Sequence, residues 1–243
     1  MAKDRIDSLL ARKGLAESRE KAKVLVMAGS VLVEGQRVDR PDRRFEEEAH
    51  IELKVTGLPY VGYGGVKLQK AAETFGIDAK GKTAIDIGSS TGGFVDFLLK
   101  SGARRVYAID AGTHQLHHSL RQDERVVVRE NTNARYLTFE DIGEHADIIT
   151  VDVSFISLKK IVPALVPLLK EGGRIIALIK PQFEVGRYEV GKGGIVKDAG
   201  KIEKVIDEIG AFGEELGLHK VAVVEAPRDR ERKNREYFIL WDR

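Results

Sequence analysis

The stretch Thr83-Ala-Ile-Asp-Ile-Gly-Ser-Ser-Thr-Gly-Gly-Phe94 decides how the rest of the chain reads. Thr83 to Asp86 has the apolar character of a buried strand end. Gly88, Gly92 and Gly93 then predict a tight turn into a helix over Phe94–Lys100. Glycines at such a turn let the backbone approach a ligand that a Cβ would keep away. The turn also presents free N–H groups at a helix N-terminus, which suits an anionic or strongly polar ligand. Asp86 stands directly before it and would repel a phosphate. The spacing is D-x-G-x-x-x-G-G, not the G-x-G-x-x-G of a dinucleotide site. A glycine-rich turn that binds nothing is the competing reading.

Outward from this loop, strand-like and helical runs alternate. Strands are predicted at Thr83–Ile87, Arg105–Asp110, Arg125–Val128, Ile148–Val153, Arg174–Lys180, Val221–Ala226 and Tyr237–Trp241. Helices are predicted at Phe94–Lys100, Thr113–Leu120, Leu158–Leu169 and Lys201–Leu216. This alternation is that of a doubly wound α/β sheet with crossover helices. The last two strands are joined by about ten residues without a helix, which predicts an antiparallel closing pair.

The loop resembles the S-adenosylmethionine loop of Rossmann-like methyltransferases, in which an acidic residue answers the cationic methionine end of the cofactor. The resemblance implies a cofactor site at Asp86, Gly88, Ser89, Ser90, Gly92 and Gly93. It also implies the strand order 3-2-1-4-5-7-6. Asp110 ends the second strand 22 residues after Gly88. An acid there can accept ribose hydroxyls, or cap the following helix. Asn133 follows the third strand and is a candidate for the adenine amino group, although turns are where asparagine commonly sits.

Residues 1–58 read as a separate small α+β unit, 59–66 as a linker and 67–243 as the α/β domain. Ile6, Leu9 and Leu10 share a helical face that Gly14 ends. Ser18 precedes a second helix with Ala22, Leu25 and Val26 inward and Gly29 as its stop. Val31, Val33 and Val38 flank a turn at Glu34-Gly35-Gln36, and Ile51 to Val55 predicts a last strand. Through Arg44 this unit carries 11 Lys and Arg against 7 Asp and Glu. The segments Ser18-Arg19-Glu20-Lys21-Ala22 and Ala28-Gly29-Ser30-Val31-Leu32-Val33-Glu34-Gly35 resemble the α-L RNA-binding motif. By that resemblance Arg12, Lys13, Arg19, Lys21 and Lys23 face RNA phosphates, with Arg37 and Arg40 beside them. Such contacts position an enzyme without reading sequence. A solvated face of mixed charge is the plainer alternative.

In an open α/β sheet ligands bind beyond the carboxyl ends of the strands. Asp152 and Lys180 end predicted strands, and Glu236 opens an antiparallel one on the same edge. Lys67 stands in the first turn of a predicted helix, where the helix dipole disfavours a cation. All four can converge beside the glycine-rich turn; unrelated surface salt bridges are the alternative. The runs Val151-Asp152-Val153-Ser154-Phe155-Ile156-Ser157-Leu158 and Leu178-Ile179-Lys180-Pro181-Gln182-Phe183-Glu184 resemble the TlyA, or hemolysin-A-like, family. That family is related to the FtsJ-type RNA 2′-O-methyltransferases, and the likeness spans nearly the whole chain. It implies a Lys67, Asp152, Lys180, Glu236 tetrad acting on a ribose 2′-hydroxyl, typically of cytidine, in ribosomal RNA. Glu225 and Glu231 are rival positions for the glutamate. A lysine acts as base only when neutral, a state that desolvation and a second ammonium favour and carboxylates oppose. The Asn/Asp-Pro-Pro-aromatic run usual in base-amino methyltransferases is replaced by Asp152-Val153-Ser154-Phe155.

Composition narrows the remaining classes. Of 243 residues, 42% are hydrophobic and 32% charged, and the net charge is +2, so the whole chain does not announce nucleic acid. There is no cysteine, which excludes disulfides, cysteine-based metal sites and a cysteine nucleophile. No metal is expected. The apolar run Ile161–Leu169 has nine residues and two prolines, against the roughly 20 that a spanning helix needs. The N-terminus does not read as a signal peptide, so a cytoplasmic protein is expected. The expected partner is ribosomal RNA or a ribosomal subunit, and the expected cofactor S-adenosylmethionine. A membrane-active hemolysin and a non-catalytic RNA-binding or assembly factor are the rival functions.

Overall fold

The computed structural model describes residues 3–16, 18–27, 30–53, 59–186, 189–191, 193–228 and 234–243. The side chain of Lys21, and the positions Gly29, Val55, Gly57 and Glu231 used in the sequence reading, lie outside this description. The chain divides into two compact units, residues 1–58 and 59–243.

The first unit holds β1 (Lys3–Arg5), α1 (Ile6–Arg12), α2 (Arg19–Met27), β2 (Val31–Val33), β3 (Gln36–Val38), β4 (Arg44–Glu46) and β5 (Ile51–Leu53). Glu34 and Gly35 both take positive φ, 51° and 73°. That is the geometry of a two-residue hairpin turn, and it sets the register Val33 to Gln36 and Val31 to Val38. Val31, Val33 and Val38 then close against Ile6, Leu10, Ala22 and Val26 in one small core. The pairing of β1 with β4 was not visible in sequence, because Lys3–Arg5 and Arg44–Glu46 are short, charged and without alternation.

The second unit is a seven-stranded sheet. Its strands are β6 (Thr83–Ile87), β7 (Arg105–Ile109), β8 (Val126–Arg129), β9 (Ala146–Val151), β10 (Leu169–Ile179), β11 (His219–Glu225) and β12 (Tyr237–Asp242), in the order β11-β12-β10-β9-β6-β7-β8. Counted from β6, this is 3-2-1-4-5-7-6, as the resemblance implied. β12 runs antiparallel to both neighbours. All five residues of β6 are buried, as a central parallel strand covered on both faces requires. Alternate residues serve opposite cores: Ile85, Ile175, Ala177, Ile239 and Trp241 on one face, Ala84, Ile176, Leu178, Phe238 and Leu240 on the other.

The helices depart from expectation in three places. α3 spans Tyr63–Phe75 and so begins inside the segment 59–66 that reads as a linker. Its glycines are there for contact: a Cβ on Gly64 would lie 3.3 Å from Phe94 in α4 (Gly93–Lys100), and one on Gly65 2.3 Å from the Tyr60 ring. The predicted helix Thr113–Leu120 is only the single turn α5 (His118–Arg121). Glu130 takes the N–H groups of His114 and Gln115 at 2.8 and 3.1 Å and holds the preceding residues as a loop. The predicted helix Leu158–Leu169 is broken by Pro163 and Pro167 into 3-10 turns around α7 (Val162–Leu165), which follows the one-turn α6 (Phe139–Ile142). After β10 come α8 (Pro181–Glu184) and α9 (Ala199–Glu215), the latter capped by Asp198. Among the described residues no helix is long and apolar enough to cross a membrane.

Candidate active site

Asp110, Asp152, Lys180 and Glu236 sit where a strand begins or ends on one edge of the sheet, and Asn133 lies beyond the end of β8 at Arg129. β9 ends at Val151, so Asp152 is the first residue beyond it, and β10 ends at Ile179 directly before Lys180. The β10–β12 register pairs Ile179 with Tyr237, which puts Lys180 and Glu236 next across the ladder. Lys67 comes from α3, whose start at Tyr63 puts it in the second turn and not, as expected, in the first.

The four residues meet as two ion pairs. Lys67 Nζ lies 2.5 Å from Glu236 Oε2, and both side chains are less than one-fifth exposed. Lys180 Nζ lies 2.6 Å from Asp152 Oδ1, with side-chain exposures of 12% and 24%. This second contact is close but not aligned as a hydrogen bond. Instead, Lys180 Nζ donates to Ser154 Oγ at 2.9 Å. The sequence reading set a second ammonium and the carboxylates around one lysine. In the structure Glu236 and Lys67 answer each other, and Lys180 is held by Asp152 and Ser154.

Ser154 and Glu184 were not singled out in sequence, although both lie inside the two quoted runs. Glu184 accepts from Ser157 Oγ at 2.6 Å and from the Leu158 N–H at 2.8 Å. Burial pushes its carboxyl up, and these two donors with Lys159 oppose the push. Phe155 stands at φ 64° and is 90% exposed, its ring centroid 5.0 Å from that of Phe183. The segment after β9 and the segment after β10 are thus laced together by Lys180, Phe183 and Glu184.

Beside these pairs lies a cleft of about 520 Å³, walled by Ile87, Gly88, Ser90, Ile109, Asp110, Asn133 and Phe155 among others. A smaller hollow of about 130 Å³ shares Gly88, Ser90 and Asp152 with it and is also lined by Asp86 and Ser89. Asp110 accepts from the N–H groups of Ser90 and Gly112, both at 2.7 Å, so it ties the glycine-rich turn to the loop after β7. It caps no helix. Asn133 Oδ1 accepts from the Arg135 N–H at 3.1 Å. Gly93 starts α4 against α3. Gly92 does not face the cleft: at φ 97° its Cβ would fall 2.2 Å from Leu120 Cδ1 and 2.8 Å from Leu116 Cδ1. A side chain there disturbs packing; it does not fill ligand space.

Asp86 is 1% exposed. Its Oδ1 accepts from Thr150 Oγ1 at 2.6 Å, while its buried Oδ2 has no partner. Burial pushes its carboxyl up to about 7; the Thr150 hydrogen bond opposes this and the charges of Asp152 and Asp110 add to it. A buried, unpartnered carboxylate oxygen next to a concave glycine-rich turn is what a cationic ligand group would satisfy. The acidic end, the apolar walls and Asp110 together suit a ligand with a cationic amino-acid part and a nucleoside part.

In the first unit, the basic candidates are engaged locally. Arg12 pairs with Asp4 at 3.0 Å and Glu47 at 3.3 Å, and Lys13 Nζ donates to the Ala49 carbonyl at 3.4 Å. Arg19 lies 3.4 Å from the fully buried Asp7, whose carboxyl is held below its ordinary value chiefly by hydrogen bonds from Arg5. Arg12 and Arg19 remain about half exposed. Lys23 is partly buried.

Residues 60–243 match the family described as FtsJ-like methyltransferase, and residues 4–51 match the S4 domain. The chain belongs to the TlyA branch of the FtsJ-like methyltransferases. It is 42% identical to the 16S/23S rRNA (cytidine-2′-O)-methyltransferase TlyA of Mycobacterium tuberculosis, over 98% of this chain and 88% of that one. It is 39% identical to Hemolysin A of Brachyspira hyodysenteriae, over 96% and 97% of the two chains. Among solved structures, a Streptococcus thermophilus protein described as a hemolysin superposes with a TM-score of 0.77 at 41% identity, covering 100% of this chain and 89% of that one. The protein is therefore a methyltransferase with a Rossmann-like catalytic unit and an N-terminal RNA-binding S4 domain.

Proposed function

We propose that this enzyme transfers the methyl group of S-adenosylmethionine to the 2′-hydroxyl of a cytidine ribose in ribosomal RNA. The observation that carries the reading is the Lys180–Asp152 and Lys67–Glu236 arrangement at the strand edge beside the Asp86 carboxylate, whose Oδ2 has no partner. The name of the Mycobacterium relative supports the ribose 2′-oxygen as acceptor and cytidine as its nucleoside.

Asp86 and Ser89 would hold the methionine end of the cofactor, and Gly88 and Ser90 the turn beneath it. Asp110 and Asn133 would meet its ribose and adenine. When bound there, S-adenosylmethionine supplies an electrophilic methyl on a sulfonium. Lys180 is the base on which a proton ends as the 2′-hydroxyl oxygen attacks, which requires the lysine to be neutral at that moment. Asp152 fixes the direction of the lysine. Lys67, held by Glu236, sets a positive charge near the acceptor oxygen and steadies its developing negative charge. Much of the rate comes from holding the acceptor in line with the methyl. The S4 unit brings RNA to the site through phosphate contacts at Arg12, Lys13, Arg19, Lys21 and Lys23.

The test is transfer of labelled methyl from S-adenosylmethionine to ribosomal subunits that lack the modification, followed by mapping of the methylated atom. A label on a base nitrogen or carbon would refute the ribose assignment. Binding of cofactor and subunits without any transfer would favour a non-catalytic assembly factor.

A further inference from the structure

Lys180 is poorly placed to meet an RNA hydroxyl alone. Its side chain is 12% exposed, and its Nζ faces Asp152 Oδ1 at 2.6 Å and Ser154 Oγ at 2.9 Å. Ser154 is exposed and lines the 520 Å³ cleft. It is the solvent-facing member of the cluster. Its position is fixed from both sides. The Asp152 N–H is bonded to the Ile87 carbonyl at 2.9 Å, and Glu184 clasps Ser157 and Leu158. Between these anchors Phe155 is driven to a left-handed φ of 64°, a conformation that costs an aromatic residue energy and persists only where its surroundings enforce it. The turn aims the serine hydroxyl at the lysine.

We propose that Ser154 is a further catalytic residue, a proton relay between the acceptor hydroxyl and Lys180. This rests on the reading of Lys180 as the base. The balance is simple. With Lys180 neutral, its Nζ lone pair accepts the Ser154 Oγ–H. As the acceptor oxygen attacks the methyl carbon, the 2′-O–H proton passes to Ser154 Oγ and the serine's own proton passes to Lys180 Nζ. The oxygen–carbon bond forms, the carbon–sulfur bond breaks with its electron pair going to sulfur, and Lys180 leaves the step as an ammonium beside Asp152. Ser154 ends unchanged.

The experiment compares wild type, Ser154→Ala, Ser154→Thr and Lys180→Ala in single-turnover methyl transfer to unmodified ribosomal subunits, in mixtures of light and heavy water. Cofactor affinity is measured without RNA by calorimetry. General acid–base groups contribute about 10²–10⁴-fold, so Ser154→Ala is expected to slow the step at least about tenfold and Ser154→Thr to restore most of it, with cofactor affinity within about threefold of wild type in both. Wild type should show a curved dependence of rate on deuterium fraction, from two protons in flight, and Ser154→Ala a linear one. A Ser154→Ala enzyme at wild-type rate, with Lys180→Ala inactive, overturns the relay and leaves the base assignment standing. A slow Ser154→Ala with the same curvature as wild type also overturns it, because the serine then only positions the lysine. Full activity in Lys180→Ala defeats the base assignment itself.

Discussion

Replacing Asp86 by asparagine should make the cofactor-free protein more stable and the cofactor site useless. Asp86 is fully buried, its carboxyl sits at about 7 against an ordinary 3.8, and its Oδ2 has no partner. In the unfolded chain the group ionises near its ordinary value. Between those two values the unfolded state therefore carries fewer protons than the folded one, and stability falls as pH rises, levelling above about 7. The gap is about three pH units at about 1.4 kcal/mol each, so the full loss is on the order of 4 kcal/mol. Asparagine keeps the shape and can still accept from Thr150 Oγ1, but it never ionises. Urea unfolding of wild type and Asp86→Asn without cofactor should give similar stabilities near pH 4. The variant should lead by about 3 kcal/mol more at pH 8 than at pH 5. Cofactor binding should run the other way: the variant should lose at least about tenfold in affinity, because an opposite charge is removed from a buried site. Wild-type binding near pH 6 should release a proton, seen as a heat that depends on the buffer. If the two proteins keep the same stability difference from pH 4 to pH 8, the buried acid does not titrate as reasoned. The assignment of Asp86 to the cationic end of the cofactor would lose its physical basis.

Other substitutions separate packing from chemistry. Gly92→Val should lower the melting temperature by several degrees, because its side chain runs into Leu116 and Leu120 at a left-handed φ; an unchanged thermal midpoint would refute that packing. Lys180→Ala and Lys180→Arg should both abolish single turnover while calorimetry shows cofactor affinity near normal, since a guanidinium does not deprotonate; a fast Lys180→Arg enzyme would make the lysine a charge stabiliser and not a base. Glu130→Ala should weaken cofactor binding several-fold, since the loop bearing Gln115 is held by the Glu130 carboxylate, whose acceptance of the His114 N–H and other bonds keeps it ionised down to about 2; unchanged affinity would show that the loop keeps its shape without the anchor. A protein beginning at Pro59 should bind cofactor normally and lose most RNA affinity at low salt, with the difference shrinking as salt rises; equal RNA binding by the two lengths would refute a role for the S4 unit.

The parts of this site that are legible in sequence are those encoded within one short run. Asp86 to Gly93 carries the turn in its own spacing, and the apolar stretch ending at Ile179 makes the charge at Lys180 stand out without knowledge of its neighbours. What is not legible is who meets whom. Lys67 and Glu236 are 169 residues apart, and only the antiparallel insertion of β12 beside β10 puts Glu236 within reach of a helix that precedes β6. Reading the four residues as one cluster therefore missed that Glu236 pairs with Lys67 while Lys180 is held by Asp152 and Ser154. The same limit explains the secondary-structure errors. Gly64 reads as a linker residue because its need, the close approach of Phe94 and Gly93 in α4, is tertiary. The run Thr113–Leu120 has helical periodicity, yet Glu130 offers its N–H groups a better acceptor than a helix would. In both cases local propensity was outweighed by a contact that forms only after the sheet is assembled. Lys180 shows the consequence for chemistry. A lysine closing an apolar strand could be noticed from its neighbours in the chain, but its hydrogen bond to Ser154 depends on the turn Asp152–Leu158. That turn's far end is held by Glu184, four residues beyond the lysine, which accepts from Ser157, 27 residues before it, and from the Leu158 N–H.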